Sequence, residues 1–168
     1  MHQPALALVP PVAPATAVEI LGVDPGLKGA LALLDPVTRC VEFFDMPRTA
    51  DGLVDVYELG RWVDERSHRI ARAVLELVGQ MPGSGHAFSF GRNYGDVRGV
   101  LGANFIPMTF VRPAKWKRAM GVTKDKNSSR AKASELFPMA ANKLLRVKDD
   151  GRAEAALIAA FASKSTGA

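Results

Sequence analysis

Cysteine is almost missing from this chain: Cys40 is the single one in 168 residues. No internal disulfide can form, and no Cys-x-x-Cys pair offers a zinc site. Such a chain is expected in a reducing, cytoplasmic compartment. Long apolar runs are missing too, since none approaches the roughly 20 residues a membrane helix needs. The three histidines, His2, His68 and His86, lack zinc-ligand spacing. No Ser-His-Asp set stands out, and there is no internal repeat. The first 17 residues have no basic start, so they make a poor secretory signal. Pro4, Pro10, Pro11 and Pro14 block helix and sheet alike there, which predicts a disordered lead-in.

What is present is material for one core. Hydrophobic residues make up 48% of the chain, and the length suits one domain rather than two. The expected domain spans residues 18–163, with a tail of residues 164–168 after it. Net charge is +5, and its placement matters more than its size. Residues 112–132 carry Arg112, Lys115, Lys117, Arg118, Lys124, Lys126, Arg130 and Lys132 against Asp125 alone. Eight bases against one acid give +7 and leave the rest of the chain at −2. Concentrated positive charge is what a polyanion-binding surface requires. A merely solvated stretch would read the same way.

Short apolar runs between breakers dominate the first third. Val18-Glu19-Ile20-Leu21-Gly22-Val23-Asp24 is stopped by Pro25-Gly26, and residues 30–34 by Asp35-Pro36. Residues 40–44 form a third run, stopped by Met46-Pro47. Three short strands with tight connections predict an antiparallel meander. Leu59, Trp62 and Val63 predict a helix over about residues 54–70. A fourth strand is expected at residues 73–78. A helix is expected over 88–103, with Phe90, Tyr94, Val97 and Leu101 as its apolar stripe. Residues 106–111 read as a fifth strand. Short helices fit 114–120 and 128–137, and a last Ala-rich helix fits 151–162. The fold class is α/β, a mixed five-stranded sheet (the meander plus two parallel strands) flanked by helices.

Certain carboxylates stand out against this frame. Asp24 closes the first strand beside a glycine, where a phosphate or metal can approach; an ordinary turn aspartate has the same signature. Glu76 sits inside an apolar strand expected to be central, and an unpaired buried carboxylate is costly. Asp149, Asp150 and Glu154 cluster at the start of the last helix, where acids also serve as caps. At ~100° per residue, Asp150 and Glu154 lie roughly 40° apart on one face, whereas Asp149 lies about 140° from Glu154. Taken together, Asp24, Glu76, Asp150 and Glu154 make a set of oxygen ligands suited to Mg²⁺ or Mn²⁺. Two such ions activate water and stabilise the leaving oxygen of a phosphodiester.

Five blocks in order carry a resemblance. Ile20-Leu21-Gly22-Val23-Asp24-Pro25-Gly26 resembles the opening motif of RuvC-like Holliday junction resolvases, which are crossover junction endodeoxyribonucleases. Leu75-Glu76-Leu77-Val78-Gly79-Gln80-Met81-Pro82-Gly83-Ser84-Gly85 is similar to their second motif. Phe88-Ser89-Phe90-Gly91-Arg92-Asn93-Tyr94-Gly95 follows as in phage and prophage members. Arg112-Pro113-Ala114-Lys115-Trp116-Lys117 and Asp150-Gly151-Arg152-Ala153-Glu154-Ala155 complete the pattern. The resemblance implies a ribonuclease H-like fold, Mg²⁺-dependent hydrolysis and a homodimer acting on four-way DNA junctions. It makes Asp24, Glu76 and Glu154 metal ligands; on the resolvase reading, Arg92 and the basic stretch are expected to contact DNA. Two departures are visible. The fourth ligand belongs three residues before Glu154, but Gly151 stands there, so Asp150 is expected to serve, with Asp149 as the alternative. The position of the aromatic wedge some members use falls near Gly79, which has no ring.

Two other readings compete. An ATP-binding protein of the actin and sugar-kinase kind shares the fold and a glycine-rich turn after an early Asp. The chain is short for that and lacks a second glycine-rich phosphate loop. A non-catalytic DNA-binding module would keep the shape, but spare acids near phosphate are unfavourable.

Overall fold

The computed structural model describes residues 18–77 and 87–164. The N-terminal lead-in, Gly79 and the last tail residues fall outside the described residues. The strands are β1 (Glu19–Asp24), β2 (Ala30–Leu34), β3 (Val41–Asp45), β4 (Ile70–Glu76) and β5 (Met108–Val111). They form one sheet in the order β3-β2-β1-β4-β5. The first three make the expected antiparallel meander, while β4 and β5 run parallel to β1. The helices are α1 (Val56–Asp64), α2 (Ala87–Ala103), α3 (Pro113–Met120), α4 (Lys126–Leu136) and α5 (Asp150–Lys164). Two 3₁₀ turns, Pro138–Lys143 and Val147–Asp149, link α4 to α5.

Each face of the sheet buries alternate residues. Leu21, Val23, Leu31, Leu33, Ala73 and Leu75 pack against Leu59, Trp62 and Val63 of α1 and Val97 and Leu101 of α2. On the opposite face, Ile20, Ala30, Ala32, Leu34 and Val74 pack with α5, over which Trp116 and Phe137 also close. Leu157 and Ile158 are fully buried in α5, each contributing about 1.5–3 kcal/mol relative to exposure. The helix is alanine-rich because it lies on the sheet backbone: a Cβ on Gly22 would stand 2.0 Å from the Ala155 carbonyl oxygen. Among the described residues no helix is long and apolar enough to cross a membrane.

Two expectations shift. The helix expected to reach residue 70 ends at Asp64, where Ser67 donates its hydroxyl to the Asp64 carbonyl oxygen and closes the turn. Ile70 instead opens β4, three residues before the expected strand, because it pairs with Glu19 of β1. The apolar stripe of α2 is half right. Val97 and Leu101 are buried, but Asn93 is buried with them, and Phe90 and Tyr94 are only partly covered. Asn93 accepts the Val54 backbone N–H at 3.4 Å, a bond a hydrocarbon side chain could not make.

Candidate metal and DNA site

Parallel pairing brings the first two acids together. β1 and β4 are in register at Val23 and Leu75, and each strand ends one residue later, at Asp24 and Glu76. Alternation sends both side chains to the α5 face, where Ile20 and Val74 of the same parity are buried. The carboxyl ends of parallel strands are where open α/β sheets bind ligands. Glu154, one turn into α5, is near enough to oppose ionisation of both acids.

The turn after Asp24 is built to pass close to it. The Gly26 N–H donates to Asp24 Oδ1 at 3.2 Å, and a Cβ on Gly29 would lie 2.2 Å from the Asp24 carbonyl oxygen. Burial pushes the Asp24 carboxyl up to about 7; Glu154 and Glu76 add to the rise, while the Gly26 N–H and Lys126 oppose it. Glu76 is also raised, first by burial and then by Glu154, against the pull of Trp116 and Lys117. The fully buried Trp116 donates its indole N–H to Glu76 Oε2 at 2.7 Å. That bond gives the buried ring its required partner and fixes one glutamate oxygen.

The helix acids are placed differently. Lys117 donates from Nζ to Glu154 Oε1 at 2.6 Å. Arg130 donates to Asp150 Oδ1 at 3.0 Å, and Lys126 lies 3.6 Å from Asp150 Oδ2. Asp149 ends the second 3₁₀ turn and takes the Arg146 guanidinium and backbone N–H. Burial raises the Asp149 carboxyl, but the Arg146 bonds outweigh it and hold the group below the usual carboxylate range. Asp149 is thus occupied by Arg146, and Asp150 opens the helix that carries Glu154.

Gly151 now has a physical reason. A Cβ there would stand 2.5 Å from the Lys28 carbonyl oxygen and 2.7 Å from the Gly29 Cα. The short turn between β1 and β2 rests on the first turn of α5. No carboxylate fits at residue 151, and the nearest acid along the chain is Asp150.

The expected four-carboxylate cage is not closed. Among the described residues no three acidic, histidine or cysteine side chains are gathered tightly enough to hold a metal ion. Glu154 and Asp150 are each turned to a cation instead. The donor chemistry nonetheless fits a hard divalent cation: the acids are carboxylates, and burial, then the neighbouring acids, disfavour ionisation of Asp24 and Glu76, a cost that a bound cation would relieve.

The basic stretch divides in two. Lys117, Arg130 and Lys126 face the acids. Arg112, Lys115, Arg118 and Lys124 are exposed on α3 and the segment after it. Lys132 pairs with Glu135. Arg92 is exposed on α2, where its field reaches Asp51 rather than the acidic cluster. Sequence reasoning passed over Trp116 as a site residue. The signal was there: a tryptophan between Lys115 and Lys117 in a basic helix needs an acceptor for its indole N–H when buried. It also passed over Lys28, Arg48 and Lys148, which line a cleft reaching Asp150.

No protein-family model and no curated protein sequence matches the chain. Solved structures do. The chain is similar to Thermus thermophilus RuvC in complex with a Holliday junction substrate, with a TM-score of 0.59 and 17% identity over 88% of this chain and 96% of that one. A second Thermus thermophilus RuvC structure gives a TM-score of 0.59 at 16% identity, with the same coverage. The fold is therefore ribonuclease H-like, of the RuvC kind.

Proposed function

We propose that this chain is a divalent-metal-dependent DNA endonuclease that cuts four-way or related branched junctions. One observation carries the reading: Asp24 and Glu76 end adjacent parallel strands beneath Glu154, close enough for Glu154 to disfavour ionisation of both. An actin-like or sugar-kinase-like ATP site has no need of three mutually repelling acids. The same fold in a RuvC bound to a junction supports the DNA substrate. The block from Phe88 to Gly95 supports kinship with phage and prophage members.

Asp24, Glu76, Asp150 and Glu154 would hold Mg²⁺ or Mn²⁺, two ions in all. When bound, these ions supply the charge that activates water and neutralises the leaving oxygen. Trp116 keeps Glu76 oriented through Oε2. Lys117 and Arg130 stand beside the carboxylates, in position to meet phosphate oxygens of the incoming strand. Arg112, Lys115, Arg118 and Lys124 hold flanking backbone, which selects structure rather than base sequence. A homodimer belongs to the same reading. Gly91, Gly95 and Gly99 share a face of α2 with open space where Cβ atoms would stand, beside the exposed Phe88. A second copy is the occupant we assign to that face.

The test is a nicking assay on a synthetic four-way junction, with Mg²⁺ and with chelator, beside a linear duplex of the same sequence. Paired, metal-dependent nicks at the branch are expected. Equal cutting of the linear duplex would overturn the junction assignment. No cutting in Mg²⁺ or Mn²⁺ would overturn the nuclease.

A further inference from the structure

A cleft of about 720 Å³ opens beside the acidic cluster and shares Asp150 as a wall. Four segments form it: the turn between β1 and β2, the loop after β3, the 3₁₀ turn before α5, and the start of α4, whose Lys126 lies 3.6 Å from Asp150. Its two acids are already neutralised. Asp45 is held by both arms of Arg152 at 2.6 and 2.7 Å, and Asp150 by Arg130 at 3.0 Å. Its exposed cations Lys28, Arg48 and Lys148 have no ion pair among the described residues. The cleft therefore carries uncompensated positive charge and calls for an anion. Leu27 and the exposed Val147 add an apolar wall, with Met46 of the core behind them.

We infer that this cleft seats an unpaired DNA nucleotide, with its phosphates on Lys28, Arg48 and Lys148 and its base on Leu27 and Val147. The volume falls in the range of small-ligand sites, whereas a duplex is far too wide to enter. An apolar wall has no use for a duplex, whose bases are stacked inside; an unstacked base has a face to bury on it. Unpaired nucleotides occur where strands exchange, so the cleft reads branch points by shape without an aromatic wedge. This inference rests on the branched-DNA reading of the neighbouring acids.

The experiment is fluorescence anisotropy in chelator, so that nothing is cut. Three labelled DNAs of equal length are compared: a full duplex, a duplex with splayed single-stranded arms, and the splayed form with abasic arms. The protein should bind the splayed form roughly tenfold more tightly than the duplex, the scale of one well-seated base. Abasic arms should remove most of that preference. The exposed triple variant Lys28→Ala, Arg48→Ala, Lys148→Ala should bring the ratio of splayed to duplex affinity near one, with an unchanged melting temperature. Equal weakening on duplex and splayed DNA would make the cleft a general backbone contact and overturn the inference. Full affinity for abasic arms would overturn the base seat, and an unaltered triple variant would overturn the whole. Junction nicking in Mg²⁺ separates the two readings. A protein that prefers splayed DNA but never nicks keeps the cleft and loses the nuclease; one that nicks with no such preference does the reverse.

Discussion

The acids on the strands and the acids on the helix live under opposite electrostatics. Asp24 and Glu76 sit at the ends of β1 and β4, and both are pushed toward the neutral form first by burial and then by Glu154, with Glu76 adding to the rise at Asp24. Asp150 and Glu154 on α5 each hold a cation, Arg130 and Lys117. The strand carboxylates each accept a hydrogen bond and have no ion pair among the described residues, whereas the helix carboxylates are already balanced by a cation. The difference teaches where added positive charge acts most strongly. It relieves the strand acids, whereas at the helix acids it competes with a lysine and an arginine that are in place.

The sharpest way to break the comparison is to remove a strand acid. Asp24→Asn or Glu76→Gln should lower junction cutting by about a thousandfold or more while leaving junction binding intact or tighter, since a ligand and a repulsion toward DNA vanish together. Near-normal nicking in Mg²⁺ by either variant would end the assignment. The pH dependence comes next. In chelator, Asp24 is raised to about 7 in the native state, so the unfolded chain ionises first as pH rises. Stability is then full below the ordinary carboxylate range and is lost as pH climbs to about 7, by at most about 4 kcal/mol. Thermal melts from pH 4 to 8 should show this loss, and Asp24→Asn should flatten it; identical slopes would remove the strand acid from the account.

Lys117→Ala tests the helix side. Lys117 and Glu154 are mostly buried, with side-chain exposures of 20% and 13%, so removing the lysine leaves Glu154 without its cation. The metal-free variant should lose about 2 kcal/mol, less than a fully buried pair would. Mg²⁺ should then raise its melting temperature more than it raises that of the unaltered protein. An equal rise in both would mean that Lys117 and the metal do not meet at Glu154. The smallest effect is expected at Asp149. Asp149→Asn loses its ion pair to a half-exposed Arg146 and should cost about 1 kcal/mol with cutting largely kept. Asp150→Asn should lose most of the cutting. The reverse pattern in a nicking assay over several Mg²⁺ concentrations would exchange their roles.

The sheet was legible because its strands are short apolar runs between Pro and Gly breakers, and their order dictates a meander followed by crossovers. The strand acids were legible for the same reason, since a carboxylate that ends or interrupts such a run is conspicuous. The helix acids were only half legible. Helical angles favoured Asp150 over Asp149, but the reason Gly151 replaces an acid lies in the Lys28–Gly29 peptide, more than 120 residues away in sequence. The cations were least legible. A run of lysines and arginines announces its sum, not its direction, and Lys117 and Arg130 turn inward to acids that only folding brings near. Lys28, Arg48 and Lys148 are scattered singly along the chain, so no local pattern gathers them.

Gly151, Ala155 and Ala159 form one stripe of α5, four residues apart, and they touch the Lys28–Gly29 peptide and Gly22 with no side chain between. Such a seam leaves the helix no slack to slide or tilt. Amide hydrogens along β1 and the middle of α5 should therefore exchange with solvent only when the whole domain opens, not through local fraying. The scaffold under the acids behaves as a single stiff plate, so under the proposed function any adjustment to a bent or branched strand would fall to the lysine and arginine side chains around it.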